Sequence, residues 1–398
     1  VLHRALDDTF DPDVRHRVTV LTLARTMANG CFRFAAPFLA VIAHGNGTSL
    51  AGLGVALAVG ELSGLLSPLN GELVERMHRR TAMTVGLAGV AAGSVLAAGS
   101  RQPVLFAVAL VLIAQSKVMF DLGLGAWISD RVPYGQRSRV IGITETSWAM
   151  GLLVGVTTMG LVTAATNYRV GYAVGSIAVG TMSLVIWRSI KPDIGAHHHS
   201  QRAERGRIEL GRTALTALGM FSLMGASQSL FVTFGSWLID RFDFTAAMLS
   251  AVTFGLGFAE LFASVSSARK ADGWGKEFST AFGAAIMIPS GIGVAIWNGH
   301  LAIALPLVIV AIAAFEFAVV SAIPLGTMLV PGSPARGMAL MFGAGTFGRA
   351  VVSLSATRLY ASRGITWPAI MCVSLATVTV LTMWRLRALR TRDSRAAC

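Results

Sequence analysis

The chain has 398 residues, of which 54% are hydrophobic and only 13% charged, with a formal net charge of +13. Soluble domains carry roughly 25% charged residues, so the deficit excludes an ordinary soluble protein and defines an integral membrane one. The basic excess would point to nucleic acid in a soluble chain; here it has first to be located relative to a bilayer.

A helical span takes about 20 apolar residues. Twelve stretches qualify in chain order: 18–43, 48–70, 81–99, 104–128, 140–165, 170–187, 213–239, 246–267, 279–297, 301–330, 338–361 and 366–384. They are too long for barrel strands and lack period-two alternation, so all are expected as helices. The first 17 residues carry Asp7, Asp8, Asp11 and Asp13 and lack the basic start and short apolar stretch of a cleaved signal. Residues 1–17 are expected as a tail, 18–187 as a first six-helix bundle, 188–212 as a central loop, 213–384 as a second bundle and 385–398 as a second tail.

The cations settle the expected orientation. Most of the 33 Lys and Arg residues fall in the first tail, in 71–80, 129–139, 188–212, 268–278 and in the last tail. The opposite face holds Arg101, Arg169, Arg241, Arg358 and Arg363. That asymmetry places both termini in the cytoplasm and accounts for the basic balance without nucleic acid. The only lysines are Lys117, Lys191, Lys270 and Lys276, an arginine bias that fits a GC-rich bacterial genome and hence a bacterial inner membrane. Cys31, Cys372 and Cys398 show no paired spacing for a disulfide or metal. His197, His198 and His199 fall in the polar loop, where a solvated stretch outweighs a metal site.

The two halves echo one another. "LAVGELSG" (57–64) aligns with "LGFAELFA" (256–263), placing Glu61 over Glu260. "GELVERMHRR" (71–80) aligns with "ARKADGWGKE" (268–277), Glu75 over Asp272, and "RVPYGQRS" (131–138) with "LVPGSPARG" (329–337), Pro133 over Pro331. Three matches in order at nearly one offset argue for a duplicated six-helix unit, an architecture of transporters.

"GELVERMHRR" resembles the loop between helices 2 and 3 of the major facilitator superfamily, G-x-L-x-[DE]-R-x-G-[RK]-[RK]. Gly71, Leu73, Glu75, Arg76, Arg79 and Arg80 match, and His78 replaces the second glycine. "AWISDRVPYGQRSRVIG" (126–142) looks like the family's end of helix 4. The resemblance implies twelve helices in two pseudo-symmetric bundles that rock by alternating access. It also implies a cytoplasmic gate in which Gly71 starts a tight turn, Glu75 caps helix 11 near Met338, and Arg76 or Arg79 reaches Asp130. Arg80 belongs to the same motif, Asp272 is Glu75's echo, and Glu145, within two turns of the membrane edge, is expected in the same network. The alternative is a plain basic anchor. Helix 5 carries Gly151-x-x-x-Gly155 and Gly160, a stripe permitting close helix approach. The family's drug/proton antiporters have G-x-x-x-G-P-x-x-G-G there; Val156 takes the place of the proline.

Ionisable groups inside a bilayer are functional suspects. The expected spans hold Arg25, Arg33, Glu61, Lys117, Asp121, Glu145, Glu260, Glu316 and Arg349; helices 3, 6, 9 and 12 hold none. In the family those four lie outside and the other eight line the cavity. At about 1.5 Å per residue, Glu61 lies ~15 Å from its cytoplasmic end, Lys117 and Arg349 ~17 Å, and Arg33 and Glu316 ~20 Å. Lys117 and Asp121 share a helix face, as a self-neutralising pair or as ligands. Arg349 and Glu316 are placed to pair, and Arg25 and Arg33 bracket Glu61 in depth. Glu61 and Glu260 are the expected proton carriers, since a carboxylate in a low-dielectric cavity holds its proton longer; purely structural carboxylates are the alternative. Phe32, Phe34, Trp127, Trp148, Phe221, Phe231, Phe234 and Trp237 are candidate apolar walls.

No metal-spaced cluster and no H-E-x-x-H or G-x-S-x-G motif is present in the sequence, so neither an enzyme nor a cofactor is expected. The expected activity is proton-coupled export of small amphipathic organic compounds by a monomer in the lipid bilayer, with no nucleic-acid partner. The alternatives are a proton-coupled carrier of a dedicated metabolite (sugar, amino acid or organic anion), Arg33 and Arg349 clamping an anionic group, or a lipid transporter.

Overall fold

A computed structural model describes residues 10–191, 209–330 and 334–396. The histidine run at 197–199 and Pro331 lie outside the described residues, as do the side chains of Glu75, of residues 134–139 and of Asp272.

Every regular element among the described residues is helical. In order these are α1 (Pro12–Arg33), α2 (Leu39–Gly45), α3 (Leu50–Ser63), α4 (Ser67–Glu75), α5 (Arg79–Gly99), α6 (Pro103–Arg131), α7 (Tyr134–Met150) and α8 (Thr157–Ala165). Then follow α9 (Tyr168–Ser189), α10 (Leu210–Phe231), α11 (Phe234–Phe242), α12 (Ala246–Trp274), α13 (Lys276–Trp297), α14 (Leu301–Thr327), α15 (Pro334–Arg363) and α16 (Thr366–Ala396). Local chemistry sets several boundaries. Ser49 and Asn167 accept from the Gly52, Arg169 and Val170 amides as N-caps. Pro12 and Pro103 occupy first-turn positions where no donor is lost. Gly275 (φ 88°) makes the left-handed joint between α12 and α13, a backbone conformation that a side chain resists.

Among the described residues, ten helices are long and apolar enough to cross a membrane, so the chain is a multi-pass membrane protein. The first two of the twelve expected spans are built differently. Span 18–43 breaks at 34–38 into α1 and α2, and α1 carries Arg17, Arg25 and Arg33, too many charges for a simple apolar span. Span 48–70 is α3, a 3₁₀ turn at Gly64–Leu66 and α4, interrupted where Gly64 and Pro68 weaken the ladder. The pair formed by Leu39–Gly45 and Leu50–Leu66 bends by 114°. Span 140–165 is also composite: α7, a π segment at Gly151–Val156, and α8.

Two compact units are present: Val1–His197 with Phe244–Phe258, and His198–Asp243 with Ala259–Cys398. In the first, Phe34, Phe38, Phe106 and Tyr172 form a buried aromatic knot, with ring centroids 4.8 to 5.9 Å apart. In the second, Gln228 donates to Ser353 at 2.7 Å and Tyr360 to Asp240 at 2.6 Å, tying α10 and α11 to α15. These aromatics are packing, as are five of the candidate wall residues: Phe34, Trp127, Phe231, Phe234 and Trp237 are all buried.

α1 crosses the π segment at bare backbone. A Cβ on Gly30 would stand 2.9 Å from the Gly155 Cα, and one on Gly151 would stand 2.5 Å from the Asn29 Cβ. Small residues allow this approach, as in membrane helix pairs generally. We expect Gly30→Ala or Gly155→Ala to lower stability by about 1–3 kcal/mol through overpacking. Gly125→Ala, whose Cβ would meet nothing within 4 Å, should leave stability level or raise it slightly. Thermal unfolding of the three variants in detergent checks this.

Candidate functional site

Three helices of the first unit bring four charges together. Arg25 on α1 donates Nε–H to Asp121 Oδ1 at 2.9 Å, and its Nη1 reaches Glu145 Oε1 on α7 at 2.8 Å and the Thr144 carbonyl at 3.1 Å. Lys117, one turn before Asp121 on α6, donates Nζ to Asp121 Oδ2 at 2.5 Å. The order Lys117–Asp121–Arg25–Glu145 alternates in sign and closes on zero net charge. Desolvated charges are tolerable only when paired and hydrogen-bonded, and this chain of contacts meets that condition.

An aromatic wall adjoins the cluster. Arg33, 5% exposed, donates to the Trp148 carbonyl at 2.9 Å, and its guanidinium lies 4.5 Å from the Trp148 ring centroid. Lys117 Nζ stands 5.4 Å from the Phe32 ring and 5.6 Å from that of Trp148. Cations at such range are drawn to the negative ring faces. Just below, Asn29 donates to the Ser147 carbonyl at 3.0 Å, so α1 reads one face of α7 over several turns.

Arg25 draws its counter-charges from acids on α6 and α7, and this arrangement corrects one expectation. Glu145 bonds Arg25 in the partly buried cluster, whereas Arg79 of the loop motif pairs with Asp130. Glu61 is half-buried on α3, near a polar ladder in which Asn70 donates to Gln115 at 2.7 Å and Gln115 donates to the Ser63 carbonyl.

The arginines of the 71–80 motif separate into three tasks. Arg79 bonds Asp130 Oδ2 at 3.0 Å and the Val74 carbonyl at 3.1 Å. Arg76 pairs with Glu72 at 2.7 Å in an exposed contact, and Arg80 stacks 3.8 Å from the Trp187 ring centroid. Gly71 sits inside α4 with open space around it, and the turn comes at 76–78. The expectation that it starts the turn is therefore corrected: the Ser67–Glu75 stretch stays helical through it. Glu75 closes α4 and Asp272 belongs to α12, but the side chains of both lie outside the described residues.

In the second unit Glu260 and Glu316 are 1% and 3% exposed. Ser264, one turn after Glu260 on α12, donates to Glu316 Oε1 at 2.5 Å, and Ser267 shares a 2.8 Å bond with Ser321. The two acids therefore lie along one polar seam between α12 and α14. Arg349 is half-buried on α15. Sequence reasoning missed the serines, although Ser264 and Ser267 follow Glu260 at i+4 and i+7, a helical stripe readable in retrospect.

A multi-helix membrane bundle with charges paired inside its spans is an architecture that membrane carriers share. The family model of the Major Facilitator Superfamily matches residues 19–353, and the chain belongs to that transporter family. Among solved structures it is similar to the human organic anion transporter MFSD10 (TETRAN), at 17% identity, covering 94% of this chain and 100% of that one with a TM-score of 0.71. It is also similar to a bacterial homologue of the human lysosomal transporter Spinster in its inward-facing, unoccupied conformation. The identity there is 14%, covering 94% and 98% of the two chains at a TM-score of 0.71. The occupied form of that homologue gives 0.70 at 14% identity, over 95% of each chain. No curated protein matches the sequence.

Removing one member of the cluster leaves buried charge behind. We expect Asp121→Asn to destabilise the protein by about 3–5 kcal/mol, because Lys117 and Arg25 both lose a partner. Adding Lys117→Gln to Asp121→Asn should recover a large part of the loss. A double-mutant cycle on thermal unfolding reads the coupling.

Proposed function

We propose that this transporter works by alternating access and couples proton movement to the export of small amphipathic organic compounds. The observation that carries the reading is the Lys117–Asp121–Arg25–Glu145 chain beside Arg33, Phe32 and Trp148. A network that closes on zero charge is a switch. Protonating an acid frees a cation, and the freed cation can meet a substrate's polar end while the rings hold its apolar body. Glu61 in the first unit and Glu260 in the second are the proposed proton carriers, with Glu316 beside Ser264 as a second acid in the same seam. Arg349 is proposed with them. Arg79 and Asp130 are proposed as part of the cytoplasmic gate, with Gly71, Glu75, Arg76, Arg80 and Asp272 in the same motif and its echo. The protein is proposed to act as a monomer in a bacterial inner membrane, with both termini in the cytoplasm.

A second reading is a dedicated carrier of organic anions. It draws on the buried guanidinium of Arg33 and on the likeness to an organic anion transporter. In both readings a pH gradient imposed on proteoliposomes drives substrate movement.

Wild-type protein should accelerate dye efflux from loaded vesicles with a steep pH dependence. Glu61→Gln and Glu260→Gln should flatten that dependence, while Arg76→Gln, at an exposed pair, should keep it. Unaltered pH profiles in both glutamine variants would remove the proton coupling. Movement of anionic but not cationic dyes would select the second reading.

A further inference from the structure

At one end of the second unit, where α12 ends, α13 begins and α16 runs past it, an aromatic strip lies between two cations. Trp274 stands 6.1 Å from Phe278, 5.4 Å from Phe282 and 6.3 Å from Phe317, measured between ring centroids. Phe282 is 6.1 Å from Phe317. Lys270 Nζ lies 6.0 Å from the Trp274 ring, and the Arg387 guanidinium lies 5.1 Å from that of Phe278. Trp274 and Phe282 are 43% and 40% exposed, so the strip is open on its outer side. Glu277, the nearby described acid, is taken by Arg390 through bonds of 3.1 and 3.2 Å. Among the described residues neither Lys270 nor Arg387 has a carboxylate partner.

The patch has a direction. Lys270 and Arg387 lie near the ends of their spans, where a headgroup would be, whereas Phe282 lies about 9 Å along α13 from Lys276. Cations and Trp274 near the span ends, with Phe282 and Phe317 running into the apolar layer, form a surface complementary to an amphiphile. We propose that this patch binds an anionic glycerophospholipid, its phosphate drawn by Lys270 and Arg387 at the level of Trp274 and an acyl chain along Phe282 and Phe317. A general excess of positive charge on one face would attract such lipids diffusely. Two cations resting on rings of one continuous strip make a site of defined position. It uses none of the residues of the charged cluster in the first unit and does not depend on any choice of substrate.

The test uses the full chain in vesicles in which phosphatidylcholine is exchanged for brominated phosphatidylglycerol or brominated phosphatidylcholine. Bromine quenches a tryptophan that it touches, and subtracting the Trp274→Phe signal isolates the Trp274 contribution. The anionic lipid should quench Trp274 preferentially, each cation contributing roughly a five-fold preference that fades with salt. Lys270→Gln with Arg387→Gln should bring the preference close to unity, and Arg387→Lys should keep most of it. Arg385→Gln, an exposed cation on the same helix without a ring contact, should change it little. Equal quenching by both lipids, a preference that survives in the double variant, or an equal loss in Arg385→Gln would each overturn the site.

Discussion

A guanidinium that leaves water for a hydrocarbon bundle has to bring its counter-charges with it, and Arg25 does so from two helices at once. Its bonds to Asp121 on α6 and Glu145 on α7 fix where α1 lies across both. With α1 so placed, Asn29 meets Ser147 and Gly30 meets the glycines of the π segment. Arg33 arrives one turn further on, over Trp148. Ionic bonding and glycine contact are thus two demands on one helix, and they agree. A longer side chain at Gly30 would lift α1 away from the acids that neutralise it.

The fold was legible where composition alone decides. Ten of the expected spans needed only apolar length, since in lipid a backbone has few choices besides the helix. The first two spans failed as simple rods for reasons written in the same residues. α1 carries charges that tertiary partners must neutralise, and Gly64 with Pro68 interrupts the second. Hydropathy averages over such positions and cannot see breaks of three or five residues. The π segment was equally hidden, because a glycine stripe at spacing four reads the same in an α-helix.

The site was legible in its membership and not in its wiring. A charge inside a span announces itself, so Arg25, Arg33, Lys117, Asp121 and Glu145 could be named from sequence. Within this cluster, only the i,i+4 relation of Lys117 and Asp121 offered a partner in advance, beside a ligand role for the two. Arg25 lies 96 residues from Asp121 in sequence, and depth along a span does not tell which neighbouring helix turns its acid inward. That is why Glu145, near a membrane edge by counting, belongs with Arg25 in the partly buried cluster. The loop motif was legible as a whole, and its three arginines still parted company. One found Asp130, one found Glu72 and one found the face of an indole.

The π segment between α7 and α8 has a consequence for phase. Residues 147, 151 and 155 all face α1, yet steps of four overshoot a turn of 3.6 residues and would wind steadily off that line. A stretch with i→i+5 bonding accommodates more residues per revolution, so the same steps fall short there and the stripe swings back. The wide turn works as a vernier: it keeps three small side chains in file along a straight partner without coiling the pair around each other. Because the segment holds one more residue than an α-helix would over the same rotation, deleting one residue from 151–156 would let it close into plain α-helix with α8 still facing the same way.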